Sequence, residues 1–441
     1  MTTAICSNAL QLYRKVLGPR RVRQVVRSQG RRAWAPLYRL SMLLWLMISQ
    51  HLESPGTLAQ SVGRAARGEL GRLLPKRQRR RMSLRTGGYC RARQRLPLAV
   101  MKAVIHYLTK QLHKLLREAE PGVGRPIYII DGSSLRLPHK PQFVTNYPPA
   151  SNQHGQSHWP VMRVAVLHEA RTGLATEVAR GPMYGPKAVS EQSLIEQLLQ
   201  YLVRGALILA DRNFGIFATA FAVTRRGCDA LLRLTKLRAS ALTGGRLQPG
   251  TEQSIVWRPS PWDRRQHPEL PSDAEVRGRV LVCPLPGFRE PLYLFTTLDL
   301  PAAEIVRLYG LRWNVETDLK SLKQTVHLQP LTVASEGMIE KDLLAAIAAY
   351  NLVRTVICLA AREANLHPRE LSFTHVLYLV QPFAAALWSD ADSPKARQEL
   401  KWLLRAAATC TLPKRRHRRS FPRSVWAEGY RYPVRRASKC K

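Results

Sequence analysis

Two short apolar segments, PIYIID and ALILAD, each run into an aspartate, at Asp131 and Asp211. Runs of this length, rich in Ile and Leu and bounded by turn formers, read as buried strands. Between them, WPVMRVAVLHEARTGLATEVARG reads as a hairpin turning at Arg171–Gly173, and EQSLIEQLLQYLV carries the apolar stripe of a helix. Strand, hairpin, helix and strand in that order predict an α/β domain with a mixed sheet. CDALLRLTK adds a further strand, and residues 237–291, richer in Gly and Pro, hold the strand-like pieces SIVWRP and VRGRVLVCPL of a β-rich insertion. The α/β texture resumes at PLYLFTTL and continues into two helices, Ala302–Val326 and one around Ile339–Glu363.

Charge decides the partner. The 441 residues carry 69 Lys+Arg against 30 Asp+Glu, a formal net charge of +39. Self-repulsion on that scale is usually tolerated where a polyanion neutralises it. Arg dominates the basic set, and its planar fork suits phosphates and guanine edges. Nucleic acid is therefore the leading partner, ahead of an anionic membrane surface or a ribosomal site. Met1–Val100 holds 21 Lys+Arg and only two acids, Glu53 and Glu69, in short helical stretches followed by KRQRRRMSLRTGGYCRARQRLP. As a module this predicts phosphate-mediated DNA binding; for any single Arg a solvated charged face is the plainer reading. The spacing at Ser54–Leu74 resembles a helix-turn-helix only weakly. After Pro413 the tail carries 11 Lys+Arg and one acid, Glu428, and is expected to order on DNA.

The chain thus divides into a helical basic domain (1–120), an α/β domain (121–236 and 292–375), the β-rich insertion (237–291), and a helical region with the basic tail (376–441). Seven scattered cysteines without CxxC spacing speak against a disulfide framework or a Cys-type zinc site and fit a reducing cytoplasm. The longest apolar run, Leu40–Ile48, is too short to span a bilayer, and the N-terminus lacks a signal-peptide pattern. No P-loop or GxGxxG is present.

An aspartate at a strand end has two readings. Ligands of open α/β sheets sit at strand ends, yet a lone Asp there is most often a turn former or helix cap. The third acid lies in YGLRWNVETDLKSLK. At about 100° per residue, Tyr309, Arg312, Glu316, Lys320 and Lys323 share one helix stripe beside an apolar stripe of Leu and Val. An ordinary amphipathic helix with Arg312–Glu316 and Glu316–Lys320 ion pairs accounts for the spacing equally well. Phosphodiester chemistry supplies the functional alternative: two divalent ions about 3.5–4 Å apart can activate the attacking oxygen and stabilise the leaving one. Three carboxylates offer enough charge to hold them.

The pattern Tyr309–x2–Arg312–x3–Glu316–x6–Lys323 resembles the Tyr-Arg-Glu-Lys signature of the bacterial insertion-sequence-four group of DDE transposases. YIIDGSSLRL and LILADRNFG resemble the segments that carry the two aspartates; AAYNLVRTVI and GYCRARQRLP resemble flanking segments, so the likeness runs from about Gly88 to Val356. It implies an RNase H-like catalytic core with a β-rich insertion, preceded by the basic helical domain. It further implies that Asp131, Asp211 and Glu316 are catalytic metal ligands for two Mg2+ ions, with Mn2+ as a substitute. Tyr309, Arg312 and Lys323, with Lys320 and Arg212 beside them, would contact DNA. Asn213–Phe214 stand where many relatives have Gly or Glu followed by Tyr.

The expected protein is a cut-and-paste transposase of the bacterial cytoplasm, associated with the nucleoid. It would bind terminal inverted repeats and target DNA and act as a homodimer, without a membrane. The rival readings are a non-catalytic DNA-binding protein derived from a transposase, and a metal-dependent nuclease that cuts without joining. His154, His158 and His168 match no zinc spacing. Ser133 and Ser134 have no partner His at motif spacing. Trp159 and Trp313 suit either base stacking or core packing.

Overall fold

In a computed structural model, residues 8–28, 39–53, 56–74, 76–119, 124–153, 155–245, 248–285, 290–326, 328, 333–386 and 394–413 are described. Among these residues seven helices come first: α1 (Asn8–Leu17), α2 (Pro19–Ser28), α3 (Leu40–Gln50), α4 (Leu58–Arg67), α5 (Lys76–Arg79), α6 (Gly87–Arg95) and α7 (Leu98–Ala119). The apolar run of the sequence forms α3, buried along its length. Thr57 and Gln60 close a capping box at the start of α4, and Gly68 ends it in the left-handed region. Among the described residues only a 3-10 turn and the single-turn α5 follow before α6, so no second helix of recognition length is seen among them over Ser54–Leu74, where the helix-turn-helix spacing looked for one.

The sheet is built from β1 (Ile127–Arg136), β2 (Pro149–Asn152), β3 (Gly155–Glu169), β4 (Ala175–Pro182), β5 (Leu207–Ala210), β6 (Asp229–Arg233), β7 (Glu252–Trp257), β8 (Val276–Cys283) and β9 (Leu292–Thr296). Its order is β2-β3-β1-β5-β6-β9-β8-β7, with β4 also on β3. The pairs β1–β5 and β5–β6 are parallel, and the remaining pairs are antiparallel. The hairpin is β3–β4. The Gly/Pro-rich stretch contributes β7 and β8, which extend the same sheet through β9. Helices α8 (Pro141–Asn146), α9 (Glu191–Leu199), α10 (Phe217–Thr224), α11 (Lys236–Leu242) and α12 (Pro261–Gln266) lie between strands.

Strand alternation sends side chains to two cores. Ile127, Ile129, Leu207, Leu209 and Leu231 join a large helical core, whereas Tyr128, Ile130, Ile208, Ala210 and Leu232 pack on α9 and α10. After β9 come α13 (Ala302–Gly310), α14 (Asn314–Lys320), α15 (Glu336–Glu363), α16 (Phe373–Ala386) and α17 (Pro394–Thr409). Helix α15 is long and apolar enough to cross a membrane, but its apolar window is fully buried by the rest of the chain, which makes it the central core helix. The large core runs without a break from Tyr13 to Ala407, so the N-terminal helices and the sheet share it. Polar links reinforce the joint: Asp342 on α15 faces His51 and Arg93, and the Lys341 ammonium donates to the carbonyls of Arg93 and Gln94 at the end of α6. A mixed sheet covered on both sides in this way is an RNase H-like α/β core.

Candidate active site

The parallel register places the two aspartates. Ile129 pairs with Leu209, so two residues further Asp131 and Asp211 stand on neighbouring strands and point to the same face. Asp131 does not close its strand, as the sequence suggested: β1 continues to Arg136 because the longer β3 pairs with it as far as Arg136↔Val161. What ends beside Asp131 is β5, and that leaves the crevice. The next parallel step pairs Ala210 with Leu232, so Arg233 follows at the level of Asp211. Backbone N–H groups hold both carboxylates: Gly132 N donates to Asp131 Oδ1 at 2.8 Å, and Asn213 N to Asp211 Oδ1 at 2.9 Å.

The helical segment with the third acid covers this crevice. It runs as α13, a 3-10 turn at Leu311–Trp313, α14, and a wider π-type turn at Ser321–Thr325. Such π turns concentrate at functional sites. Val315, Leu319 and Leu322 pack the segment down. Tyr309 and Arg312 are buried, Glu316 and Lys320 exposed, and Lys323 half-buried with Nζ donating to Ser133 Oγ at 3.0 Å. Tyr309 Oη and Arg312 Nε are buried without a hydrogen-bond partner. Glu316 pairs with Arg312 at 3.5 Å, the ion pair that an ordinary amphipathic helix would make.

Electrostatics tie these groups together. Burial pushes the Asp131 carboxyl up to about 6; the Gly132 N–H and Arg312 oppose this, while Asp211 and Glu191 add to it. Burial likewise pushes the Tyr309 phenol up to about 12, against the neighbouring Arg312 and Arg233. Lys323 is lowered by burial and by Arg136. Arg312 thus pairs with Glu316 and acts through space on Asp131. As they stand, no three His, Cys, Asp or Glu side chains among the described residues come close enough to enclose a cation. The donor set still suits one. Two half-buried carboxylates repel each other across one crevice, and a divalent ion would relieve that.

A stability prediction follows from Asp131. Its pKa is higher in the folded chain than in the unfolded one, so its ionisation costs stability as pH rises between about 4 and 6. Asp131→Asn is therefore expected to stabilise the metal-free protein at pH 7.5 by about 1 kcal/mol, discounted for partial exposure. That gain should vanish below about pH 3, where both states are protonated. Urea unfolding at the two pH values checks it, and an equal effect at both would contradict it.

Other sequence candidates separate. Arg212 is exposed beside Asp211. His168 is buried at one end of β3 and His158 lies near the other, stacked on His139, so the strand itself keeps them from a common site; His154 lies outside the described residues. Trp159 and Trp313 are both part-exposed, with Arg312 over the Trp313 ring. Pattern reading missed Arg233 and Glu191. Counting the parallel strands from their ends would have found Arg233. Glu191 had no signal beyond the start of a helix.

A mixed RNase H-like sheet with aspartates on adjoining strands, covered by a helix with a third acid, defines the DDE class of DNA-rearranging domains. The chain matches the transposase DDE domain over residues 122–352, just over half its length, and belongs to that family. It is similar to the transposase InsG for insertion sequence element IS4 of Escherichia coli (strain K12), 25% identical over 402 residues that cover 90% of this chain and 87% of the relative. The insertion-sequence-four resemblance is borne out, and it reaches well beyond Gly88–Val356. Transposases of this family generally use divalent metals.

Proposed function

We propose that the protein cuts DNA at the ends of a mobile element and joins the freed ends to target DNA. Asp131, Asp211 and Glu316 would hold two divalent ions, Mg2+ or Mn2+. The observation that carries this reading is the pair of half-buried aspartates on adjoining strands, set under a helix that brings Arg312 and Lys323 to the same crevice, with Glu316 paired to Arg312. When bound, the ions would supply charge stabilisation to the attacking and leaving oxygens. Water would attack the phosphodiester at the element end and break its P–O3′ bond, releasing a 3′-hydroxyl; that hydroxyl would then attack a target phosphodiester and displace the target's own 3′-oxygen as a hydroxyl. Arg312, Tyr309 and Lys323 carry donors that can hold the flanking phosphate oxygens, and the exposed Lys320 and Arg212 would add phosphate contacts. For Glu316 to join the aspartates, its carboxylate must leave Arg312, whose guanidinium a DNA phosphate would then occupy.

The basic helical module would recognise the terminal inverted repeats, and two protomers would pair the ends, in the bacterial cytoplasm at the nucleoid. Lys76, Arg77, Arg80, Arg81, Arg85 and Arg91 are exposed there. With many phosphate contacts, affinity should fall by about 10³ or more between 50 and 200 mM salt. A shallow slope in a filter-binding titration would show that the +39 charge is not mainly a DNA footprint.

One observation favours a second reading, the non-catalytic DNA-binding protein: Glu316 pairs with Arg312 and not with the aspartates' site. A plasmid carrying candidate ends, incubated with the protein and Mg2+, separates the two. Cleavage with strand transfer supports transposition, cleavage alone a nuclease, and binding without cleavage the binding protein.

A further inference from the structure

Glu191 is the first residue of α9, after the N-cap Ser190, on the face of the sheet opposite the crevice. Its carboxylate touches Gly132, which follows Asp131, and Asn213, two residues after Asp211. On one side it lies against Gly132, where an added Cβ would meet Glu191 Cδ and Oε1 at 2.8 Å. On the other, Asn213 Nδ2 donates to Glu191 Oε2 at 2.6 Å, and Gln192 Nε2 donates to Asn213 O and Oδ1 at 3.0 and 3.1 Å. Gly132 and Asn213 are the residues whose N–H groups hold Asp131 and Asp211. We infer that Glu191 is a positioning residue for the reaction: a brace behind the sheet that fixes the spacing of the two aspartates through the peptides that follow them.

The inference rests on the catalytic reading above and explains two local features. Gly132 has no side chain because the brace occupies that space. Asn213 presents an amide donor to Glu191, where a carboxylate side chain would repel it. A charged, hydrogen-bonded contact of this kind holds geometry more strictly than an apolar one.

Two readouts test it. Hydrogen exchange, which needs no activity, should be about tenfold faster in Glu191→Ala at the amides of Gly132 and Asn213, and unaltered in α15. In single-turnover cleavage of an end duplex with Mg2+, Glu191→Ala should be slowed about tenfold or more, with duplex affinity within about twofold of the wild type. Asn213→Asp should be slowed as well. Adding Glu191→Gln to it restores a donor–acceptor pair with reversed polarity and should recover at least about threefold. Unchanged exchange at the two amides, or no recovery in the double variant, would overturn the brace. Faster exchange in Glu191→Ala together with a wild-type protein that cuts nothing would defeat the catalytic reading and leave the brace standing.

Discussion

Alanine at Asp211 is expected to lower the rate of end cleavage by about 10³ or more while end binding persists, since bound metal contributes several kcal/mol of transition-state charge stabilisation. Asp211 closes β5 at the level of Asp131, and its removal leaves a single strand-borne carboxylate in the crevice. Binding should survive because the exposed basic residues of α5, α6 and the segment between them lie outside the crevice. Single-turnover cleavage beside a gel-shift titration gives both numbers. A loss of less than about tenfold would move the chemistry away from these strands.

The second large effect is on stability. Asp318, on the helix that carries Glu316, is 1% exposed and paired in two-pronged fashion with Arg369, at 2.5 and 2.8 Å. Tyr350 Oη lies 2.9 Å from Asp318 Oδ1 and 2.8 Å from Gly173 O, and Arg354 donates twice to Thr172 O. Gly173 has φ +73°, and a Cβ there would strike the Arg354 guanidinium. This network ties the Glu316 helix to α15 and to the β3–β4 turn. Arg369→Ala strands a buried carboxylate and should cost about 3–5 kcal/mol. Replacing both members by apolar residues of similar volume should recover most of that. Burial raises the Asp318 pKa, but Arg369 and Arg354 outweigh it and hold the carboxyl below its ordinary range. The pair's stabilisation is therefore full above the ordinary Asp range and is lost as pH falls through the depressed value. Urea unfolding of the three proteins tests this; a loss under about 1 kcal/mol in Arg369→Ala would show that the pair is not a buried clasp.

The same network shows what the sequence could disclose. Tyr350, Asn351 and Arg354 stand in AAYNLVRTVI, legible as a family segment, yet their work is to satisfy the backbone of a hairpin turn some 180 residues away. No local pattern carries such a pairing. The strands, the hairpin turn and the helix of Glu316 were legible because each is set by short-range apolar periodicity. The continuation of β1 past Asp131 was not, since it depends on the length of its partner β3. Nor was the π-type turn that sets Lys323 against Ser133. Glu316 stood out through fixed spacing, whereas the Asp131–Asp211 adjacency needed the parallel register.

Glu316 is also where the proposed chemistry is most exposed to test, because here it faces Arg312. Glu316→Gln keeps the side-chain shape and removes one negative charge. In single-turnover cleavage of an end duplex with Mg2+, this variant should bind DNA as the wild type does and cut it about 10³-fold more slowly. Undiminished cleavage would contradict a three-carboxylate metal site.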